Sequence, residues 1–235
     1  MTDLIPGIEE RLDGVVKRLE AAQQTYDRQV SLLAVSKTFP VEAVEIAWKH
    51  GVSAVGENYA QEGCEKYDAF FSRNPQAHLQ WHFIGPLQAN KTRMVAERFD
   101  WVQSVDRMRI AQRLNDQRPE GKGPLNVLIE VNIDDENSKS GVAPNEVLEL
   151  ATQIAKLPNL RLRGLMTIPA PADSHESRLV PLKAMRQLYD SMAAQFGFDT
   201  LSMGMSSDMV EAVEAGTTMV RVGSAIFGHR QYINR

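Results

Sequence analysis

Leu32-Leu33-Ala34-Val35-Ser36-Lys37-Thr38 is an apolar run that ends in a single amine between two hydroxyls. A short apolar stretch bounded by polar residues reads as a strand buried on both faces. Lys37 then falls where the strand gives way to its loop, and Pro40 opens a helix-like pattern. Loss of solvent at such a place disfavours the ammonium. A free lysine titrates near ~10.4, so a lowered pKa is what lets it attack a carbonyl. The plainer alternative is a strand-end lysine with its stem covered and its head in water.

Outward from this run a rhythm appears. Apolar, β-branched stretches stand at residues 32–35, 52–55, 79–84, 101–105, 125–131, 160–166, 200–203 and 218–222. Helical patterns lie between them. Residues 40–50 carry Val41, Val44, Ala47 and Trp48 before Gly51, a helix stop signal. Asp106 is placed to cap a helix bearing Ile110 and Leu114. Residues 144–157 and 182–196 read as amphipathic helices, the second ending at Gly197. Ser206, Ser207 and Asp208 offer caps for a short helix that stops at Gly216. Strands alternating with helices form βαβ units and a parallel sheet. Eight units predict a closed (β/α)₈ TIM barrel. The open doubly wound sheet is the rival, but no G-x-G-x-x-G follows the first strand. Residues 1–28 add a helical extension whose Ile5, Ile8, Leu12, Val15, Val16 and Leu19 share one face. No linker interrupts the pattern, so residues 1–235 read as one domain, with the extension packed on the barrel.

Composition narrows the function. A net charge of −4 and no long basic stripe argue against a general nucleic-acid surface. Cys64 is the only cysteine, so neither an intramolecular disulfide nor a cysteine metal cluster is possible, as in a reducing compartment. The N-terminus lacks the basic and apolar segments of a signal peptide. No apolar run approaches the ~20 residues of a membrane helix. A cytoplasmic, unanchored protein is expected.

Barrel chemistry stands at the carboxyl ends of the strands. Lys37 is there after the first strand, and Asn58 and Tyr59 after the second. His82 lies in the third, and Arg221 in the eighth. Ser206, Gly223 and Ser224 follow strands seven and eight, the usual phosphate site of this fold. A helix start offers free N–H groups, and a glycine lets the backbone approach a ligand. The ordinary alternative is a capping serine and a turn glycine. Arg221 interrupts the run Thr-Thr-Met-Val-Arg-Val-Gly, so its guanidinium must be paired or face a cavity. An ion pair with Glu57 is the ordinary explanation. His82 reads as a core histidine, and the histidines show no metal-binding spacing. Met203, Met205 and Met209 read as packing residues. The polar loop 136–141 is either solvated or a lid. An amine, an anion cradle and an arginine together suit a ligand with an aldehyde, a phosphate and a ring atom that accepts a hydrogen bond. Pyridoxal 5′-phosphate has all three.

Seven stretches, in order and across nearly the whole chain, then carry a resemblance. They are Leu-Leu-Ala-Val-Ser-Lys-Thr (32–38), Gly-Glu-Asn-Tyr (56–59), Trp-His-Phe-Ile-Gly-Pro-Leu-Gln (81–88), Asn-Ser-Lys-Ser-Gly (137–141), Arg-Gly-Leu-Met (163–166), Ser-Met-Gly-Met-Ser (202–206) and Val-Arg-Val-Gly (220–223). In these the chain resembles the pyridoxal phosphate homeostasis proteins. The resemblance implies a barrel like the N-terminal domain of bacterial alanine racemase. It implies that Lys37 holds pyridoxal 5′-phosphate as an internal aldimine and that Asn58 lies beside the ring. Ser206, Gly223 and Ser224 would bind the phosphate, and Arg221 would face the pyridine nitrogen. It also implies a carrier and buffer of vitamin B6 without established catalysis, with cofactor-free enzymes as recipients, acting as a monomer or weak dimer. A racemase-like enzyme is the alternative. Against it, the racemases' added β domain, which brings a tyrosine base, has no counterpart after the eighth strand in this sequence. A Schiff-base aldolase with a phosphate site and no cofactor is a third reading.

Overall fold

The computed structural model describes residues 6–134 and 140–228. The chain runs α1 (Ile8–Tyr26), β1 (Ser31–Val35), α2 (Val41–Lys49), β2 (Ala54–Glu57), α3 (Ala60–Arg73) and β3 (Gln80–Phe83). It continues through α4 (Thr92–Arg98), β4 (Trp101–Val105), α5 (Met108–Gln117) and β5 (Leu125–Glu130). A 3₁₀ turn (Pro144–Glu146) leads into α6 (Val147–Ile154), β6 (Leu160–Met166), α7 (His175–Phe196) and β7 (Thr200–Ser202). Then come α8 (Met209–Ala215), β8 (Met219–Val222) and α9 (Ser224–Phe227). All eight strands are parallel and close in chain order, with β8 returning to β1 through Leu33↔Arg221 and Ala34↔Val222. The eight-stranded closed barrel expected from the sequence is therefore the fold.

Closure gives each strand two buried faces. Side chains alternate between them, one row toward the helices and one into the barrel. The outer row (Ala34, Val55, Trp81, Phe83, Val102, Val127) packs in the main core with the helices. The inner row supplies two separate clusters, one with Leu33, Val35, Ile84 and Met219, the other with Trp101, Leu128 and Met166. This double burial is why the strands read as unbroken apolar runs. The first helix buries Ile8, Leu12, Val15, Leu19 and Ala22. It packs on α2, α8 and α9, with Arg11 Nε donating to the carbonyl of Ile226 at 2.8 Å. Ile5 of the expected face lies outside the described residues.

Several boundaries move. The second strand runs two residues later than the apolar run, because Gly56 and Glu57 still pair with His82 and Phe83. Asp106 does not cap α5; Arg107 occupies that position without a side-chain cap. The Asp106 carboxylate is instead engaged by the Arg107 guanidinium at 2.6 Å. The helix expected from residue 182 begins already at His175, where the Ser174 hydroxyl accepts the Ser177 N–H at 3.1 Å. That cap starts the helix ahead of Pro181, which removes only one i→i−4 donor.

Candidate functional site

Lys37 sits in a turn whose first carbonyl, that of Ser36, accepts the N–H of Phe39 at 3.1 Å. Thr38, the third residue of the turn, has φ 69°. That is the place a type II turn gives to glycine. A β-branched residue there carries strain of about 1–2 kcal/mol. The turn therefore presents Lys37 in a fixed, unrelaxed backbone. The side chain is partly buried at the rim of a cavity of about 600 Å³, and Val35, Asn58, Ile84, Ser206, Arg221, Gly223 and Ser224 line the same cavity.

Each of the other expected residues arrives there for a local reason. Asn58 follows β2 and lies against Gly85, which follows β3. A Cβ on Gly85 would stand 2.2 Å from the Asn58 carbonyl oxygen, so only glycine lets this loop approach so closely. Asn58 Oδ1 is buried and has no partner among the described residues. On the far side, the loop after β7 brings Ser206, and Met205 N–H is held by the Asp208 carboxylate at 2.8 Å. Gly223 and Ser224 open α9. Among the described residues, the backbone N–H groups of Ser206, Ser207, Ser224 and Ala225 meet no acceptor. Helix starts leave such donors free, and they suit an anion.

Arg221 is 4% exposed and does not pair with Glu57. Its Nη1 donates to Ser202 Oγ at 2.7 Å and its Nη2 to the Thr167 carbonyl at 2.8 Å. Glu57 is engaged elsewhere, by Lys66 at 2.7 Å and the Ser36 hydroxyl at 2.6 Å. Burial brings the Arg221 guanidinium down to about 10, against the pull of Asp208 and Glu130. It stays charged at neutral pH.

Behind Arg221 a polar relay crosses the barrel interior. Ser202 Oγ lies 2.7 Å from Gln103 Oε1, and Gln103 Nε2 lies 2.9 Å from His82 Nδ1. His82 stacks on Trp101, with ring centroids 5.0 Å apart. It is half satisfied, since Nε2 has no partner among the described residues. Burial brings its imidazole down to about 3, so it is neutral.

Two other expectations resolve. Tyr59 is 53% exposed and is absent from the cavity lining. Met203 and Met209 are core residues, but Met205 is exposed at the cavity rim, because Gly204 turns the chain outward with φ 95°. Residues 136–139 of the polar loop lie outside the described residues. Burial pushes the Cys64 thiol up to about 11, which makes it an inert core residue. No metal-binding cluster occurs among the described residues. Gln103 and Ser202 escaped the sequence reading. Each is a polar residue inside an apolar run, the same signal that singled out Arg221.

The family model "Alanine racemase, N-terminal domain" matches residues 11–231. A pyridoxal phosphate homeostasis protein of Vibrio alginolyticus is 52% identical over 229 residues, 96% of this chain and 98% of that protein. PipY of Synechococcus elongatus PCC7942, solved with PLP bound, has 31% identity and a TM-score of 0.80, over 94% of this chain and 100% of its own. An alanine racemase of Clostridium difficile 630 shares the fold alone, at 18% identity and a TM-score of 0.71, with 58% of its length covered. With its closed parallel barrel, its lysine turn after β1 and 96% of its length matched at 52% identity, the chain belongs to the pyridoxal phosphate homeostasis proteins of the alanine racemase N-terminal domain family.

Proposed function

We propose that this protein holds pyridoxal 5′-phosphate reversibly and so carries and buffers vitamin B6, without turning over a substrate. The convergence of Lys37, Asn58, Ser206, Arg221, Gly223 and Ser224 on one cavity carries the reading. A cavity of this size suits a small cofactor. The donor set also fits the group. The free N–H groups and hydroxyls of Ser206 and Ser224, with Gly223 opening α9 beside them, would hold a phosphate. Arg221 can only donate, so it would serve a ring nitrogen that accepts. The buried Asn58 Oδ1 is an acceptor at the cavity lining that the bound group would meet. When bound, the group supplies an aldehyde that condenses reversibly with a primary amine and releases water. Lys37 offers that amine from a turn it cannot easily leave.

The same residues argue against catalysis. Pyridoxal enzymes that need a strong electron sink keep the ring nitrogen protonated with an acidic partner. A guanidinium cannot accept that proton. Tyr59, the tyrosine next to the site in sequence, does not reach the cavity to move a proton on a substrate. Enzymes lacking their cofactor are the recipients in this reading. The single buried cysteine supports a cytoplasmic setting, and no helix among the described residues is long and apolar enough to cross a membrane. Residues 1–235 act as one cofactor-holding unit.

Borohydride reduction of the purified protein followed by peptide mapping tests this. The adduct should map to Lys37, and Lys37→Ala should abolish it and the visible absorbance while the fold survives. An adduct on another residue, or a colourless protein, would overturn the assignment. Rapid α-proton exchange of L- or D-amino acids in deuterated water would move it to a racemase-like enzyme.

A further inference from the structure

Both neighbours of Lys37 are tied to one ionic cluster formed by Glu57 at the end of β2 and by Glu62 and Lys66 on α3. Lys66 Nζ donates to the Ser36 carbonyl at 2.9 Å, to Glu57 Oε1 at 2.7 Å and to Glu62 Oε1 at 3.0 Å. The Ser36 hydroxyl donates to the same Glu57 oxygen at 2.6 Å. On the other side of Lys37, the Thr38 N–H donates to Glu62 Oε1. Lys66 is 6% exposed and Glu57 fully buried. Gly63 permits this approach of helix to strand, since a Cβ there would stand 3.0 Å from Glu57 Cβ and 2.9 Å from the Phe99 ring.

A buried ion pair is a weak source of stability and is often matched by apolar residues. This one is better explained by what it holds. Its hydrogen bonds end on the carbonyl and hydroxyl of Ser36 and on the N–H of Thr38, the residue with the left-handed backbone. A strained turn persists only where its surroundings over-determine it. Here the surroundings grip the turn on each side of the amine.

We propose that Lys66, with Glu57 and Glu62, is a positioning unit that fixes the turn from Ser36 to Phe39 and so holds Lys37 ready for the aldehyde. The inference rests on the pyridoxal phosphate reading above. None of the three residues lines the cavity, so each acts through the turn. Alignment of an attacking group governs rate strongly, and small displacements slow a reaction by up to ~100-fold. The unit should therefore show in the rate at which Lys37 couples.

Two readouts in the full-length chain test it: amide hydrogen exchange at Thr38 without cofactor, and the coupling rate of added pyridoxal 5′-phosphate to the Lys37 peptide, trapped with borohydride. Glu62→Ala removes the Thr38 acceptor at a site that is not fully buried. Glu57→Leu with Lys66→Met removes the buried pair without stranding a buried charge, since Glu62 reaches solvent, and circular dichroism checks its fold. Each should speed Thr38 exchange and slow coupling by ~10-fold or more. Glu62→Gln, whose amide oxygen still accepts, should restore both. Faster exchange with unchanged coupling would overturn the positioning role, as would unchanged exchange in Glu62→Ala. Absence of any Lys37 adduct in the unaltered protein would instead overturn the functional reading, and that is decided before any variant is made.

Discussion

Arg221 Nη1 lies 2.7 Å from Ser202 Oγ, and because a guanidinium only donates, that oxygen must accept. The one hydroxyl proton of Ser202 is then left for Gln103 Oε1, 2.7 Å away. With its oxygen so engaged, Gln103 turns its NH₂ group to His82 Nδ1 at 2.9 Å. His82 must carry its proton on Nε2. One permanent charge at the cavity thus orders a hydroxyl, an amide and a tautomer across the barrel interior, where such barrels usually stack aliphatic layers. Its bonds to Ser202 and to the Thr167 carbonyl hold the guanidinium in the cavity lining.

Cutting the middle of this relay should be costly. Gln103→Leu leaves the Ser202 hydroxyl without its acceptor and His82 Nδ1 without its donor, both in the barrel interior. Each unsatisfied buried group costs about 1–3 kcal/mol, so a loss of about 2–6 kcal/mol is expected. Urea denaturation measures it. A loss below ~1 kcal/mol would mean that the relay is not maintained.

Two buried titratable groups should pull stability in opposite directions with pH. Burial takes His82 from 6.5 to about 3. Below 6.5 the unfolded chain binds a proton that the folded chain refuses. Its contribution is therefore complete above 6.5 and is lost as pH falls toward about 3, by at most ~1.4 kcal/mol per pH unit. Burial, helped by Asp106, takes Glu130 from 4.5 to about 7. Here the folded chain binds the extra proton, so the contribution is complete below 4.5 and is lost as pH rises to about 7. Between 4.5 and 6.5 the two slopes oppose each other. His82→Phe should flatten the loss on the acid side, and Glu130→Gln should flatten the loss toward neutral pH. Urea melts across this range read both, and a variant whose pH slope matches the parent's would refute its part.

Gly85→Ala tests the packing of the Asn58 loop. The added methyl would enter within 2.2 Å of the Asn58 backbone carbonyl, and backbone cannot swing aside as a flexible side chain can. Overpacking of this kind costs about 1–3 kcal/mol. Thermal unfolding should show that loss. Pyridoxal phosphate retention should weaken with it, because Asn58 is displaced from the cavity. Undiminished stability and retention together would show that the loop has room the structure does not display.

Much of the barrel was legible because burial on two faces writes itself locally, as apolar runs with polar ends. Lys37 and Arg221 stood out by breaking those runs or closing them. Gly56 reads as a breaker that ends the second apolar run at Val55, whereas pairing on both sides carries it into the sheet. The amphipathic pattern shows α7 only from residue 182, whereas the Ser174 cap starts it at His175 and Pro181 stands inside it. Lys66 went unnoticed because a charge on a helix ordinarily faces water. Its position on the buried face with Gly63, Cys64 and Phe70 was the available clue.

The sequence by itself determined eight buried strands in order, an amine at the end of the first and an arginine in the last. Those features depend on the alternation of nearby residues. Only the closed barrel decided that Ser202 meets Gln103 across 99 positions, that Arg221 reaches Thr167 across 54 rather than Glu57, and that Lys66 stands behind the Lys37 turn. Neighbours across a barrel interior are set by the tilt and closure of the whole sheet, and no single stretch of chain contains that information.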